Sequence, residues 1–277
     1  MIQLHVYEEI FHFKEDVTPF LEKNEQENNL ILGVLQMVQE PIFMGVAKQG
    51  EDIAVVFLQT EEKKQIIVAT SEIVEEDIVE LAKKLTKVYP NVPGLIGNKK
   101  IVQKLAEEIA TLEQKKTTVA MEQGVYELKQ VKKKWNGDGI FREVSSEELP
   151  LIEQWIYQFC EDVKLPTTKE AAKQTAHTLI TNRRLFGLEV DGKLVSVAAK
   201  TRPTTNNITV NFVYTPKEER TKGYASSCVA ALSQRMLGEG YKTTTLYTDL
   251  ANPTSNKIYQ EIGYEKLMES VLIFLEK

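Results

Sequence analysis

Histidine and cysteine are scarce in this chain, three and two residues among 277. His5, His12 and His177 do not cluster with one another or with Cys160 and Cys228 at metal-ligand spacing, so no metal is expected. Two cysteines do not make a disulfide framework. A long apolar run is also missing from the N-terminal region, where charges enter at Glu8, Glu9 and Lys14. That disfavours a signal peptide or membrane segment and makes the cytoplasm the expected location. Basic residues number 34 against 40 acidic ones, a net charge of −6, which disfavours a general nucleic-acid binder. The clearest basic run, Lys132-Lys133-Lys134, reads as a solvated linker.

What the chain does have is enough length and apolar content, 42% hydrophobic, for about two domains. Its most informative stretch lies in the second half. Asn207–Thr215 is rich in β-branched and aromatic residues and is closed by Pro216, the pattern of a strand. After it, Ala225, Cys228, Val229, Leu232 and Met236 recur at helical spacing, and Gly238 and Gly240 end the helix. Between strand and helix stands Arg220-Thr221-Lys222-Gly223-Tyr224-Ala225. A helix N-terminus presents unpaired N–H groups and a positive dipole end, both suited to phosphate oxygens. Gly223 brings no side chain between backbone and ligand, Ala225 is small, and Arg220 and Lys222 add charge.

Further on, Tyr241–Thr248 alternates as another strand, and Asn252-Pro253 has the form of a helix start. That helix runs to Ile262 with Gly263 as its stop. Asn252, Ser255, Asn256 and Tyr259 fall on one face of it, a polar stripe that reads as a ligand surface.

Val213 through Tyr264 resembles the acetyl-CoA-binding core of the GNAT superfamily of N-acetyltransferases. Arg220-x-x-Gly223-x-Ala225 is similar to its pyrophosphate loop, and Asn252-Pro253-Thr254-Ser255-Asn256-Lys257-Ile258-Tyr259 with Gly263-Tyr264 to its later helix and turn. The wording is nearest the C-terminal domain of the glycine N-acyltransferase-like branch. The resemblance implies an α/β (α+β) fold with a mixed, mostly antiparallel sheet flanked by helices. It covers roughly residues 140–277.

The first half runs through a parallel order of elements. Helices are expected at Val17–Lys23 and Asn29–Val38, then strands at Phe43–Lys48, Ile53–Leu58 and Gln65–Ala69. A helix at Glu75–Val88, a strand at Val92–Ile96, a helix at Lys99–Leu112 and a strand at Gly124–Val131 follow. The second half is read as helices at Ser146–Phe159 and Lys169–Asn182 and strands at Leu185–Val190 and Leu194–Lys200 before Asn207–Thr215. Ser145-x-x-Glu148 reads as a capping box and Asp191-Gly192 as a hairpin turn. A tandem pair of GNAT-like domains is therefore expected: 1–131 degenerate, 132–139 a linker containing Gly137-Asp138-Gly139, and 140–277 catalytic. An unrelated α/β domain in the first half is the alternative. Where a phosphate loop belongs, the first half reads Ser71-Glu72-Ile73-Val74-Glu75-Glu76-Asp77, acidic and glycine-free, so CoA binding is not expected there.

By the resemblance, the strands before and after the phosphate-loop helix splay apart, and main-chain groups of Val213 and Thr215 pair with the pantetheine arm. The cofactor-binding set is then Val213, Thr215, Arg220, Thr221, Lys222, Gly223, Tyr224, Ala225, Asn252, Ser255, Asn256 and Tyr259. Tyr259 is the general-acid candidate for the leaving sulfur. Asp249 is a weak base candidate, and Asn211 and Tyr247 are acceptor-side candidates. Glu161 and Asp162 read as solvated loop carboxylates and His177 as a helix-surface residue. The expected activity is acetyl-CoA-dependent N-acetyl transfer to a small-molecule or peptide amine, with no metal, no nucleic acid and no membrane, by a monomer or homodimer. A CoA-binding regulatory or scaffold protein is the alternative.

Overall fold

The computed structural model describes residues 2–133, 135, 137 and 139–277. Lys134, Asn136 and Asp138, part of the expected linker, lie outside the described residues. Two compact units are present: unit 1 comprises Met1–Val125, Thr248–Pro253 and Lys266–Lys277, and unit 2 comprises Tyr126–Tyr247 and Thr254–Glu265.

The first round of elements is β1 (Ile2–Val6), α1 (Ile10–Leu21), α2 (Asn29–Leu35), β2 (Phe43–Gln49), β3 (Asp52–Gln59), β4 (Ile66–Thr70), α3 (Glu75–Val88), β5 (Gly94–Asn98), α4 (Lys99–Glu113) and β6 (Lys116–Leu128). The second repeats that order: β7 (Ile140–Glu143), α5 (Leu149–Asp162), α6 (Lys169–Thr181), β8 (Leu185–Val190), β9 (Lys193–Thr201), β10 (Asn207–Tyr214), α7 (Tyr224–Gly238), β11 (Thr243–Asp249), α8 (Pro253–Ile262) and β12 (Glu265–Glu276). The expected parallel between the halves holds element by element. Three strands were not anticipated: β1, β7 and β12. α1 starts seven residues before the expected helix, because Pro19 in its last turn masks a helix whose buried stripe is Phe13, Val17 and Leu21. β6 begins at Lys116 rather than Gly124, since its first five residues are exposed and show no inward alternation.

In unit 1, β1, β2, β3 and β4 pair antiparallel in that order and β5 joins β4 in parallel. Successive residues of β3 serve opposite faces. Val56 and Leu58 pack with Phe13, Val17, Leu21, Ile31 and Leu35 of α1 and α2. Val55 and Phe57 pack with Leu81, Leu85, Val102 and Leu105 of α3 and α4. The sixth strand of this unit is β12, antiparallel to β5 from Ser270↔Asn98 to Phe274↔Gly94. Its Val271, Ile273 and Leu275 are buried in the α3–α4 core. At about 1.5–3 kcal/mol for each fully buried side chain, the C-terminal strand is integral to a unit otherwise made from the start of the chain.

Unit 2 is built on the antiparallel strands β7, β8, β9 and β10, with β11 parallel to β10. Ile152, Trp155 and Ile156 of α5 and Ala172 and Ala176 of α6 pack on one face with Val197, Ala199, Phe212 and Tyr214. Cys228, Leu232 and Met236 of α7 pack on the other with Ile208, Val210, Leu246, Tyr126 and Leu128. The hairpin turn is as expected, Asp191 and Gly192 both having positive φ, 50° and 74°. In the expected capping box, the Glu148 carboxylate accepts the Ser145 N–H at 2.8 Å. It also takes two bonds from Arg142, at 2.8 and 2.9 Å, so it ties β7 to α5. Lys132 and Lys133 are anchored rather than loose, pairing with Glu265 and Glu261 at 2.9 and 2.8 Å.

Candidate functional site

β10 changes face partway along. Its register against β9 runs from Thr209↔Thr201 to Asn211↔Ala199 and resumes at Tyr214↔Val197, so three residues of β10 span two of β9. This is a β-bulge. Phe212 carries it at φ 45°, and its N–H is taken by its neighbour's side chain, Asn211 Oδ1, at 2.8 Å. A non-glycine residue there stores roughly 1–2 kcal/mol of backbone strain. The bulge sends Phe212 and Tyr214 to the α5–α6 core, against Phe159 and Trp155, whereas Ile208 and Val210 before it face α7. The parallel ladder with β11 runs only from Asn207↔Thr243 to Val210↔Leu246, and β10 continues four residues beyond it. A slot between two parallel strands opens at that point.

The loop leaving β10 passes through one 3-10 turn, Lys217–Glu219, into α7. Thr221 and Gly223 both have positive φ, 67° and 85°. Gly223 is the N-cap and contributes no side-chain hydrogen bond to the helix start. An added Cβ on Gly223 would enter open space, with no atom within 4 Å, so the ground above this turn is clear for a ligand's phosphates.

The two basic side chains of the loop are held by carboxylates. Arg220 donates to Asp162 at 2.6 Å and to the Thr215 carbonyl at 2.9 Å, and lies 5.8 Å from the Tyr214 ring. Lys222 pairs with Glu219 at 2.8 Å. Asp162 is therefore engaged, not merely solvated, and the Arg220 guanidinium holds its carboxyl below the usual range. Exposed pairs of this kind contribute about 0–1 kcal/mol, a small barrier to exchanging a carboxylate for a phosphate. Val213 and Tyr224 are half-buried against the α7–α8 core, and Ala225 lies in the first turn of α7.

On α8, Ser255, Asn256 and Tyr259 are half-buried. The Tyr259 ring meets the edge of Tyr264 at 6.2 Å, and its hydroxyl makes no hydrogen bond with any described residue. Burial, with a smaller contribution from Tyr264, pushes its pKa well above the ordinary phenol value, so it keeps its proton at neutral pH. Tyr264 is fixed differently: its hydroxyl is bonded to Ser233 and Thr244, both at 2.8 Å. Asp249 and Asn252 belong to the Thr248–Pro253 segment of unit 1. There the Asp249 carboxylate accepts the Ala251 N–H at 2.8 Å, and its carbonyl accepts the Asn252 N–H at 3.0 Å.

The equivalent place in unit 1 is closed. The β3–β4 register has no shift, and Val68 pairs with Gly97, where an added Cβ would stand 2.2 Å from the Val68 carbonyl oxygen. α3 opens with Glu75, Glu76 and Asp77. Glu75 pairs with Lys104, and Asp77 accepts from Gln49 at 2.6 Å.

Two features of unit 2 escaped the sequence reading. The Phe212 bulge is one, because Ile208, Val210, Phe212 and Tyr214 alternate as if they shared a face. Arg202 is the other. It follows β9 at φ 48°, its guanidinium carbon is 5.1 Å from the centre of the Tyr247 ring, and it has no ion pair or hydrogen bond with any described residue. Desolvation lowers its pKa. Nothing in the Arg202-Pro203 dipeptide signals this.

The family model described as FR47-like protein matches residues 191–273, which span β9 through most of β12. No curated protein matches the chain. A GNAT-family acetyltransferase from Colwellia psychrerythraea superposes with a TM-score of 0.64 at 12% identity, over 99% of this chain and 100% of that one. A GCN5-related N-acetyltransferase from Kribbella flavida gives 0.60 at 13% identity, over 90% and 93%. A tandem GNAT protein from the clavulanic acid biosynthesis pathway gives 0.56 at 10% identity, over 99% and 98%. The chain has the GNAT fold, and its two-round architecture is similar end to end to a tandem GNAT protein.

Proposed function

We propose that this protein is an acetyl-CoA-dependent N-acetyltransferase whose unit 2 binds the cofactor, with its nearest relations in the glycine N-acyltransferase-like branch. The observation that carries this reading is the β10 bulge, which opens a slot beside β11 directly before the Gly223-headed helix α7. The pyrophosphate would be held by main-chain N–H groups from Thr221 to Ala225, with Arg220 and Lys222 exchanging their carboxylate partners for phosphate. Main-chain groups of Val213 would pair with the pantetheine arm as an added strand does. Asn252, Ser255 and Asn256 complete the cofactor-binding set. Unit 1 lacks the bulge and the glycine turn and is assigned no cofactor.

A neutral primary amine attacks the thioester carbonyl, forming a C–N bond while the C–S bond breaks. The amine proton passes to water or to a carboxylate, Asp249 being the candidate. Tyr259, whose hydroxyl is protonated and makes no bond within the protein, donates its proton to the departing thiolate and regains one from solvent. No covalent enzyme intermediate forms. The setting is cytoplasmic, and the enzyme a monomer or homodimer.

Calorimetric titration with acetyl-CoA tests the first half of this reading and an amine panel the second. Saturable binding together with an acetylated amine supports it. A second reading, a CoA-binding regulator without acceptor chemistry, is favoured by one observation: the Asp249 carboxylate is occupied within its own turn. Binding without transfer to any amine would select that reading.

A further inference from the structure

Buried and half-buried charges in proteins are normally paired, since an unpartnered ion forfeits hydration without recompense. Arg142, Arg183, Arg220 and Arg235 each meet a carboxylate. Arg202 is half-buried and meets none among the described residues. Its backbone is held in the left-handed region, a conformation with a cost for any side-chain-bearing residue. Its guanidinium lies over the Tyr247 ring, and stacking by the face leaves the N–H edge available.

The position of Tyr247 gives that edge a meaning. Leu246 is the last β11 residue paired with β10, so Tyr247 stands where the slot opens. Leu246 faces the α7 core, and Tyr247, the next residue, faces the other side of the sheet. The neighbouring polar groups on that side are committed to one another. Thr243 donates to Asn207 at 3.1 Å, Asn207 donates to Thr245 at 3.2 Å, and Thr245 and Thr209 share a bond of 3.0 Å. Arg202 is the cation left facing outward from this network.

Resting on the N-acetyltransferase reading above, we infer that Arg202, stacked on Tyr247, binds the carboxylate of the acceptor, so that the substrates are small amines that carry a carboxylate. One guanidinium presents a planar fork and a single positive charge, which match a monoanionic carboxylate in geometry and in charge. A phosphate dianion calls for more than one cation. The site would hold the acceptor by its acidic end while its amine reaches the slot.

The test compares matched acceptors with the full-length protein: α-amino acids, their α-amides, simple alkyl amines and phosphoethanolamine. CoA release and product mass are read for wild type, Arg202→Gln and Arg202→Lys, with acetyl-CoA affinity measured on each. In wild type, acids should exceed their amides in kcat/KM by about tenfold to a hundredfold, the worth of one charge-assisted contact. Arg202→Gln should collapse that ratio towards one through acceptor KM, with acetyl-CoA affinity unchanged, and Arg202→Lys should restore part of it. If Arg202→Gln does not fold, the wild-type ratio and the lysine variant decide. Equal use of acids and amides by wild type, a preference that survives in Arg202→Gln, or a preference for phosphoethanolamine would each overturn the carboxylate site while leaving acetyl transfer intact. Failure to acetylate any amine would overturn both, and the acetyl-CoA titration would show whether cofactor binding had failed as well.

Discussion

Replacing Gly223 by alanine separates the role of the α7 turn in folding from its role in binding. At φ 85° and ψ 0° a Cβ costs roughly 1–2 kcal/mol of backbone strain. It meets nothing within 4 Å, so no clash is added. For a protein of this size each kcal/mol lowers Tm by roughly 2–4 °C, and the variant should melt a few degrees early but stay folded at 25 °C. The same Cβ stands where the pyrophosphate must approach the backbone, so acetyl-CoA affinity should fall by more than tenfold, above about 1.4 kcal/mol. Gly192→Ala is the matched control. It also has positive φ, 74°, and open space around its Cβ, but it sits in the β8–β9 hairpin. It should lose similar stability and no affinity. Calorimetry and thermal melting on both variants decide the matter, and an unchanged acetyl-CoA affinity in folded Gly223→Ala would refute the phosphate cradle.

Tyr259→Phe keeps the ring against Tyr264 and removes the proton, so acetyl-CoA affinity should hold while kcat falls about a hundredfold; rapid-quench turnover unchanged under transfer-limited conditions would eliminate the acid role. Cutting the chain into 1–131 and 140–277 strands β12 on the wrong fragment, so the first piece should show no cooperative melt by circular dichroism until the second is added; a cooperative melt of 1–131 alone would contradict this strand assignment. Arg142, more than the opposing desolvation, holds the Glu148 carboxyl below its ordinary pKa. That stabilisation is complete above the unfolded value of about 4.3 and is lost as pH falls through the lower folded value. Glu148→Gln should therefore flatten the decline in Tm below about pH 5, and an acid limb as steep as wild type's would show that the pair does not control it.

The residues that announced themselves are those whose local chemistry decides their structure. Asn252-Pro253 and Gly263 bound α8 as expected, Asp191-Gly192 forms its turn, and Gly223 heads α7, because caps and positive-φ glycines act within a few residues. The misses are non-local. Val271, Ile273 and Leu275 mark a buried strand in any reading, but only long-range pairing decides that β12 lies beside β5 rather than with the unit preceding it in the chain. The bulge at Phe212 was invisible because its apolar residues keep an even spacing while the backbone turns them from one face to the other. Arg220 was legible as a basic loop residue, but its partner Asp162 lies 58 positions away. Arg202 drew no notice for the opposite reason, since an absent partner leaves no pattern in a sequence.

The central claim is tested most directly by incubating the full-length protein with acetyl-CoA and a panel of amines, then measuring free CoA and the mass of every amine product. The account predicts one acetylated amine for each CoA released, with release dependent on the amine. CoA released without an acetylated product, or tight acetyl-CoA binding with no transfer to any amine, would contradict it.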